Sequence, residues 1–531
     1  MSFVELDPEL CGGVEAESCS SKTPVTPGTP GSQWGAAAAR YHVPIDCQAQ
    51  NYEWGKAGVF SAVARLKSRV CALQGDEQHL RRVMSVEDIH MPFAELWMGT
   101  HPNGPSRVVH FRHGGTLSEF LSSRSGRRFC GEVVWEYFPP NEQGEMHLPF
   151  LLKVLSVEKA LSIQAHPDKS LAEELHAKYP DVYKDNNHKP EMAIALTHFE
   201  AFCSFRPLEE FLADVDRIPL FRALLGIPED ALAQLQEHQG NTDFRREFLR
   251  QWFSTLMSLD NASVEEAIAT LLKHLGSTAQ EHWTAHDRAV PTLVQQFGAS
   301  DIGILCTYFL NFVSLAPGQA LFLAANEPHA YFRGDCVECM ATSDNVVRAG
   351  LTPKLKDTET LCNMLTYRDG SPADLGLLYN PTSIHGIRVY QPPVPEFQLH
   401  RIFLGTMESH VEEVMMVTQG PCVLLVVSGF GSAKFSPADD CTPEEEERNR
   451  RLLEGSTSAM DLQQRELEEG EEGEEEEEEE EIEKVEEEVV ELEHGVVQLL
   501  AHGTKVVISL NQDVPNSSLL VFVAGCNQQI F

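Results

Sequence analysis

The stretch Leu161-Ser-Ile-Gln-Ala-His-Pro-Asp-Lys169 (LSIQAHPDK) decides how the rest of the chain is read. It has the form of a short strand running into a turn. Side chains at i, i+2 and i+4 of a strand share a face, so Ser162, Gln164 and His166 point together while Leu161, Ile163 and Ala165 point the other way. A polar face of this kind belongs either to an edge strand facing solvent or to a strand lining a polar cavity, with Gln164 and His166 as neighbouring metal ligands. The segment alone leaves both readings open, and the rest of the chain has to separate them.

Outward from this strand, LPFLLKVLSV (148–157) reads as a buried strand and KSLAEELHAKY, after Pro167, as an amphipathic helix. Residues 41–206 are mostly short strands punctuated by Gly and Pro. From 207 to 300 the period changes: LEEFLADVDRI, PEDALAQLQEH, REFLRQWFSTLMSL and SVEEAIATLLKHL carry apolar residues at helical spacing, several introduced by Ser, Asp or Pro. Strands resume over 301–400 in ILCTYFLNFVSL and QALFLAANEPHAYF, with Pro317-Gly318 as the turn between them. Residues 401–531 contain the alternating runs EEVMMVTQG, CVLLVVSGF, KVVISL and SLLVFVAG, a second all-β unit. The expected organisation is therefore mainly β with a helical insertion at 207–300, preceded by a disordered tail over 1–40, where SSKTPVTPGTPGSQWGAAAA is too poor in apolar residues to offset ordering.

The 531 residues carry a net charge of −39, of which −20 falls between Glu444 and Glu493. That acidic segment, about 440–494, interrupts the last β unit without ending it. It is expected to be a disordered, solvated insertion hung between strands, and the partner of such a segment, if basic, is not identified by the sequence. No basic footprint for a phosphate backbone is present, so nucleic acid is not an expected partner. No run of about 18 apolar residues occurs, which argues against a membrane span, and the N-terminus lacks the basic and apolar regions of a leader. A soluble cytoplasmic protein is the resulting expectation. Thirteen scattered cysteines suggest reduced thiols, and Cys336-Val-Glu-Cys339 is a lone CxxC without a second pair.

A zinc-type site needs about four N, O or S ligands. Besides Gln164 and His166, Glu191 stands at the entrance to the apolar run of NHKPEMAIAL (187–196), as at the mouth of a buried strand. Pro317-Gly318 followed by Pro328-His329-Ala-Tyr331 has the layout of a cupin barrel: a turn, a strand, then a Pro-linked histidine facing the cavity.

Together these segments resemble the type I, cupin-fold mannose-6-phosphate isomerase family. The resemblance runs through QNYEWGK (50–56), PFAELWMGTHP (92–102), LPFLLKVLSVEKALSIQAHPDK (148–169), NHKPEMAIAL (187–196), FRP (205–207), NEPHAYFRGDCVECMATSDNVVRAGLTPK (326–354) and PPVPEF (392–397). It covers most of 41–400 in the family's order. It implies a cupin-type catalytic domain in two parts (41–206 and 301–400), the helical domain between them, and a second cupin-like β domain at 401–531. It also implies one Zn²⁺ per chain on Gln164, His166, Glu191 and His329, and a sugar phosphate as the small-molecule partner. Ser162, Arg348 and Lys354 are implied at the phosphate, and Arg348, Lys189 and Asp344 in ring opening and proton transfer. Glu95 and Trp97 lie in a strong block but receive no role.

The chemistry gives reasons for these residue types. Interconverting mannose 6-phosphate and fructose 6-phosphate opens the ring, removes a proton from C2 and returns one at C1 through an enediol-type intermediate. One carboxylate with three neutral ligands leaves zinc a formal +1, so it still acts as a Lewis acid. Arg suits bidentate phosphate contact and Lys adds a point charge. Two rivals remain: a metal-dependent cupin oxygenase, against which Gln164 and the Arg348/Lys354 pair argue, and a non-catalytic sugar-phosphate-binding cupin.

Overall fold

The strand His329–Ala341 runs thirteen residues with only Arg333 exposed, so it must be covered on both faces. It is the spine of one of two eleven-stranded sheets in the computed structural model of the chain. That structure describes residues 41–68, 85–109, 111, 114–238, 240–384, 386–405, 411–442, 488–511 and 517–530, and everything described belongs to one compact unit beginning at Tyr41. The expected tail (1–40) and residues 443–487 of the expected acidic insertion lie outside the described residues.

The first part of the spine pairs with Phe199–Phe205 and, at His329, with Gln164 of the strand Ile163–Ala165. From Gly334 onward it runs between Phe150–Val157 and Glu191–Ala195. The exchange of partners falls at Gly334, whose φ is +118° and where a Cβ would come within 2.5 Å of the His198 carbonyl oxygen. Only glycine fits there.

The second sheet repeats the device. Its spine, Cys422–Pro437, pairs first with Val497–Leu500 and Ser518–Gly525, then with Glu488–Glu493 and Thr504–Leu510. The change comes at Gly429, φ +93°. Phe435 pairs with Glu488, so strand sequence flanks the acidic segment on both sides. The strand His42–Asp46 joins this sheet through Val497–Leu500, placing the first described strand among strands from the chain's end.

The helical expectation is met by Leu208–Arg217, Pro219–Leu225, Ala231–Glu237, Thr242–Met257, Asn261–Ser277 and Ala285–Phe297. Local chemistry sets their ends. Asp260 accepts from the Ser263 amide, Thr284 and Asp287 form a capping box, Pro219 takes the first turn of its helix, and Gly226 closes that helix at φ +64°. Their apolar faces bury Phe211, Trp252, Phe253, Leu271 and Leu293 in one core that also takes Ile163, Ala165, Val347 and Ala349. The helical insertion thus packs against the apolar side of the strand Ile163–Ala165 and leaves its polar side free to face a cavity.

No helix of the described residues is long and apolar enough to cross a membrane. Cys336 and Cys339 are free thiols, buried on one strand, three residues apart and so on opposite faces.

Candidate functional site

The alternation predicted for LSIQAH holds over residues 162–165: Ile163 and Ala165 are fully buried in the helical core, whereas Ser162 and Gln164 line a cavity of about 670 Å³. Leu161, expected on the apolar face, lines that cavity as well, and His166 is buried. In the sheet Gln164 stands directly opposite His329 on one side and Arg348 on the other. Paired residues share a face, so His329, Gln164 and Arg348 form one row. Glu191 opens the strand Glu191–Ala195, paired with Met340 of the spine.

His166 Nε2 lies 3.3 Å from Glu191 Oε1, His329 Nε2 lies 3.3 Å from Glu191 Oε2, and all three side chains are buried. Their donor atoms fall within 4.8 Å of one another, a group able to hold a metal ion. The tautomers follow from the opposite side of each ring. His166 Nδ1 donates to the Asn345 carbonyl at 2.7 Å, and His329 Nδ1 to the Glu327 carbonyl at 3.2 Å. Burial pushes the His166 imidazolium down to about 4, so the ring is neutral near pH 7. His166 Nε2 therefore turns a lone pair toward the carboxylate, and Nε2 of both rings is buried without a hydrogen-bond partner. Such a buried group of unpartnered nitrogens around a carboxylate calls for a cation among them, and this donor set, two imidazoles and a carboxylate, fits zinc. Burial alone would raise the Glu191 carboxyl, but His166 and Lys189 beside it hold it well below the usual carboxylate range.

The surrounding motifs are tied together by their own polar groups. Asn345 Nδ2 donates to the carbonyls of Asp185 and Asn187, and Ser343 Oγ to Asp185 Oδ1, fastening the SDN segment to the approach to Lys189. Asn326, at φ +63°, donates its amide to the His166 carbonyl and its side chain to Asp168, locking NEPH onto AHPD. Lys189 Nζ sits 3.3 Å from Glu191 Oε1.

Arg348, Lys354, Ser162, Lys189 and Asp344 all line the same cavity as Gln164 and Glu191. Arg348 is half-buried with no ion pair or hydrogen bond to its guanidinium among the described residues, and burial lowers its pKa from the ordinary value. An unpaired, partly desolvated cation is a site waiting for an anion.

Sequence reasoning missed a second cluster lining the same cavity. Lys153 Nζ lies 3.2 Å from Glu95 Oε2 and 3.3 Å from Glu338 Oε2, Trp97 Nε1 donates to Glu95 at 2.6 Å, and the Tyr331 hydroxyl to Glu338 at 2.8 Å. Burial alone would lower the Lys153 ammonium, but the two carboxylates outweigh it and raise it. Burial, then neighbouring Glu191, raises Glu338. The signal was a single lysine within LPFLLKVLSV and a single glutamate within CVECM.

Residues 43–208 match the family described as phosphomannose isomerase type I, catalytic domain, and residues 228–310 that family's helical insertion domain. The chain is 41% identical to a probable mannose-6-phosphate isomerase of Dictyostelium discoideum, over 73% of this chain and 82% of that protein. It is also 41% identical to the mannose-6-phosphate isomerase of Homo sapiens, over 73% of this chain and 87% of the relative. Among solved structures it resembles a phosphomannose isomerase from Salmonella typhimurium (TM-score 0.65, 24% identity, 92% of this chain and all of that one), a likeness of fold. It also resembles a mannose 6-phosphate isomerase bound with zinc and yttrium (TM-score 0.63, 25% identity, 91% of this chain and 99% of that one).

Proposed function

The chain belongs to the type I phosphomannose isomerase family, and we propose that it interconverts mannose 6-phosphate and fructose 6-phosphate in the cavity between the His166–Glu191–His329 group and Arg348. The observation that carries this reading is the row His329, Gln164, Arg348, which sets a metal-type donor group and an unpaired cation side by side on one sheet face. A phosphorylated sugar of hexose size spans such a row.

His166, Glu191, His329 and Gln164 would hold one zinc ion, which when bound would supply Lewis acidity toward the sugar oxygens. Arg348, with Lys354 and Ser162, binds the phosphate dianion, and that remote contact fixes the reacting carbons. Lys189, 3.3 Å from Glu191, reaches the same region of the cavity and exchanges protons with the substrate. During turnover a proton leaves C2 while the C1 carbonyl oxygen gains one, giving an enediol; the C2 hydroxyl then loses its proton as C1 is protonated. Asp344, held below the usual carboxylate range first by His101 beside it, stays anionic and accepts hydrogen bonds from sugar hydroxyls.

A coupled isomerase assay with metal analysis on the purified chain tests this. Zinc with turnover is expected. Iron with oxygen consumption would instead make the chain a cupin oxygenase, and sugar-phosphate binding without turnover a non-catalytic binding protein.

A further inference from the structure

Asp344 is reached from below by His101, a residue in the loop that follows the strand Glu95–Met98. His101 Nε2 lies 3.1 Å from Asp344 Oδ1, and Asn103 Nδ2 lies 3.3 Å from Asp344 Oδ2, so each carboxylate oxygen has its own partner. The imidazole is 3% exposed and packs edge-on against Trp97 at 4.9 Å, while the Asp344 side chain is 38% exposed at the cavity wall. Its tautomer is settled by the backbone: the Asn103 amide donates to His101 Nδ1 at 3.2 Å. A nitrogen that accepts carries no proton, so the ring proton sits on Nε2, the atom facing Asp344.

We propose that His101 is a positioning residue of the isomerase reaction, its Nε2–H fixing the Asp344 carboxylate in one orientation toward the substrate. The inference rests on the isomerase reading. The histidine touches no reacting atom; it acts through Asp344. Trp97, seated against Glu95 by its own indole N–H, prevents the ring from turning away. His101 thus gives the family block PFAELWMGTHP a task that its two named members, Glu95 and Trp97, did not account for.

The test is a double-mutant cycle with His101→Leu, Asp344→Asn and the pair, together with His101→Gln. His101→Leu should lower kcat/KM about tenfold, the scale of one charge-assisted contact. In the Asp344→Asn background the same change should cost less than about twofold. His101→Gln, whose amide N–H can span the same gap, should recover most of the loss. Equal losses in both backgrounds, or a His101→Gln variant as damaged as His101→Leu, would overturn the proposal, because a packing role alone predicts both. Should His101→Leu fail to fold, the nitrogen spectrum of protein labelled with ¹⁵N-histidine decides. A ring with protonated Nε2 and bare Nδ1, absent from His101→Gln, is expected, and a protonated Nδ1 overturns the geometry. A wild-type chain that does not isomerise would refute the proposed function, whereas the spectrum would still judge the His101 tautomer.

Discussion

His188 Nε2 and Glu396 Oε1 lie 2.5 Å apart, a hydrogen bond between positions 208 residues apart in the chain. His188 directly precedes Lys189, and Glu396 belongs to the Pro392–Phe397 segment between two strands of the other sheet, Ile387–Tyr390 and Gln398–Gly405. The bond ties the entrance of the site to the second sheet, which gives the PPVPEF motif a physical purpose. Replacing Glu396 by Ala should strip His188 of its partner at a cost of about 1–2 kcal/mol, with a Tm lower by several degrees and a reduced kcat/KM. Glu396→Gln keeps an acceptor and should stay near wild type. An Ala variant with unaltered melting and turnover would mean that the two sheets hold the site without this strut.

Arg348→Ala should weaken kcat/KM by roughly tenfold to a hundredfold while metal content stays unchanged, because its proposed partner is the substrate phosphate. Arg348→Lys should restore part of the loss, since it returns the charge without the fork. Loss of zinc from the Ala variant would place Arg348 in the support of the metal group instead.

Gln164→Glu keeps the side-chain shape but adds a negative charge between His329 and Arg348. At the proposed zinc site a second carboxylate would neutralise the ion's remaining charge and would compete with the substrate phosphate for Arg348. Metal analysis should find zinc retained, and the assay should find turnover lost. Undiminished turnover would exclude Gln164 from the centre.

Much of this site was readable from the chain because its parts carry local signals. Period-two alternation put Ser162, Gln164 and His166 on one face, and helical spacing in segments introduced by Ser, Asp or Pro marked the insertion that covers the other. The Glu95–Lys153–Glu338 cluster carries no such signal. Its members meet only through register, Lys153 standing opposite Glu338 on one neighbour and Trp97 on the other, and a one-residue slip would separate them. The same holds for His42–Asp46, whose pairing with Val497–Leu500 joins the two ends of the described chain and leaves no trace in either segment alone. Asp344 was named from its motif, but the two groups that orient it, His101 and Asn103, come from a loop more than two hundred residues away.

Deleting residues 443–487 should leave catalysis within about twofold of the full chain. Phe435 pairs with Glu488, so joining Thr442 to Glu488 leaves a connection of about seven residues, an ordinary length. The deletion removes 22 acidic and 5 basic residues, taking the net charge from −39 to −22. The described residues that line the cavity all lie outside the deleted stretch. A well-folded deletion variant with a large fall in kcat would show that the segment takes part in the active site.

Acid should destabilise the fold through buried neutral histidines before most carboxylates titrate. Burial lowers His286 and His400 from an ordinary 6.5 to about 4. His286 is locked as the neutral ring: Nε2 donates to the Leu310 carbonyl at 2.8 Å, and Nδ1 faces the Arg206 guanidinium at 3.2 Å, where a second proton would meet a cation. Between pH 6.5 and 4 the unfolded chain binds these protons and the folded chain does not. The stability they contribute is therefore complete above about 6.5 and lost as pH falls toward 4, up to about 3 kcal/mol for each ring. Thermal melts from pH 7.5 to 4.5 should show Tm falling through this window. In His286→Gln, which has no ring to protonate, the fall should be shallower than in the parent chain. Parallel curves for the two proteins would show that His286 does not contribute to the acid sensitivity of the fold.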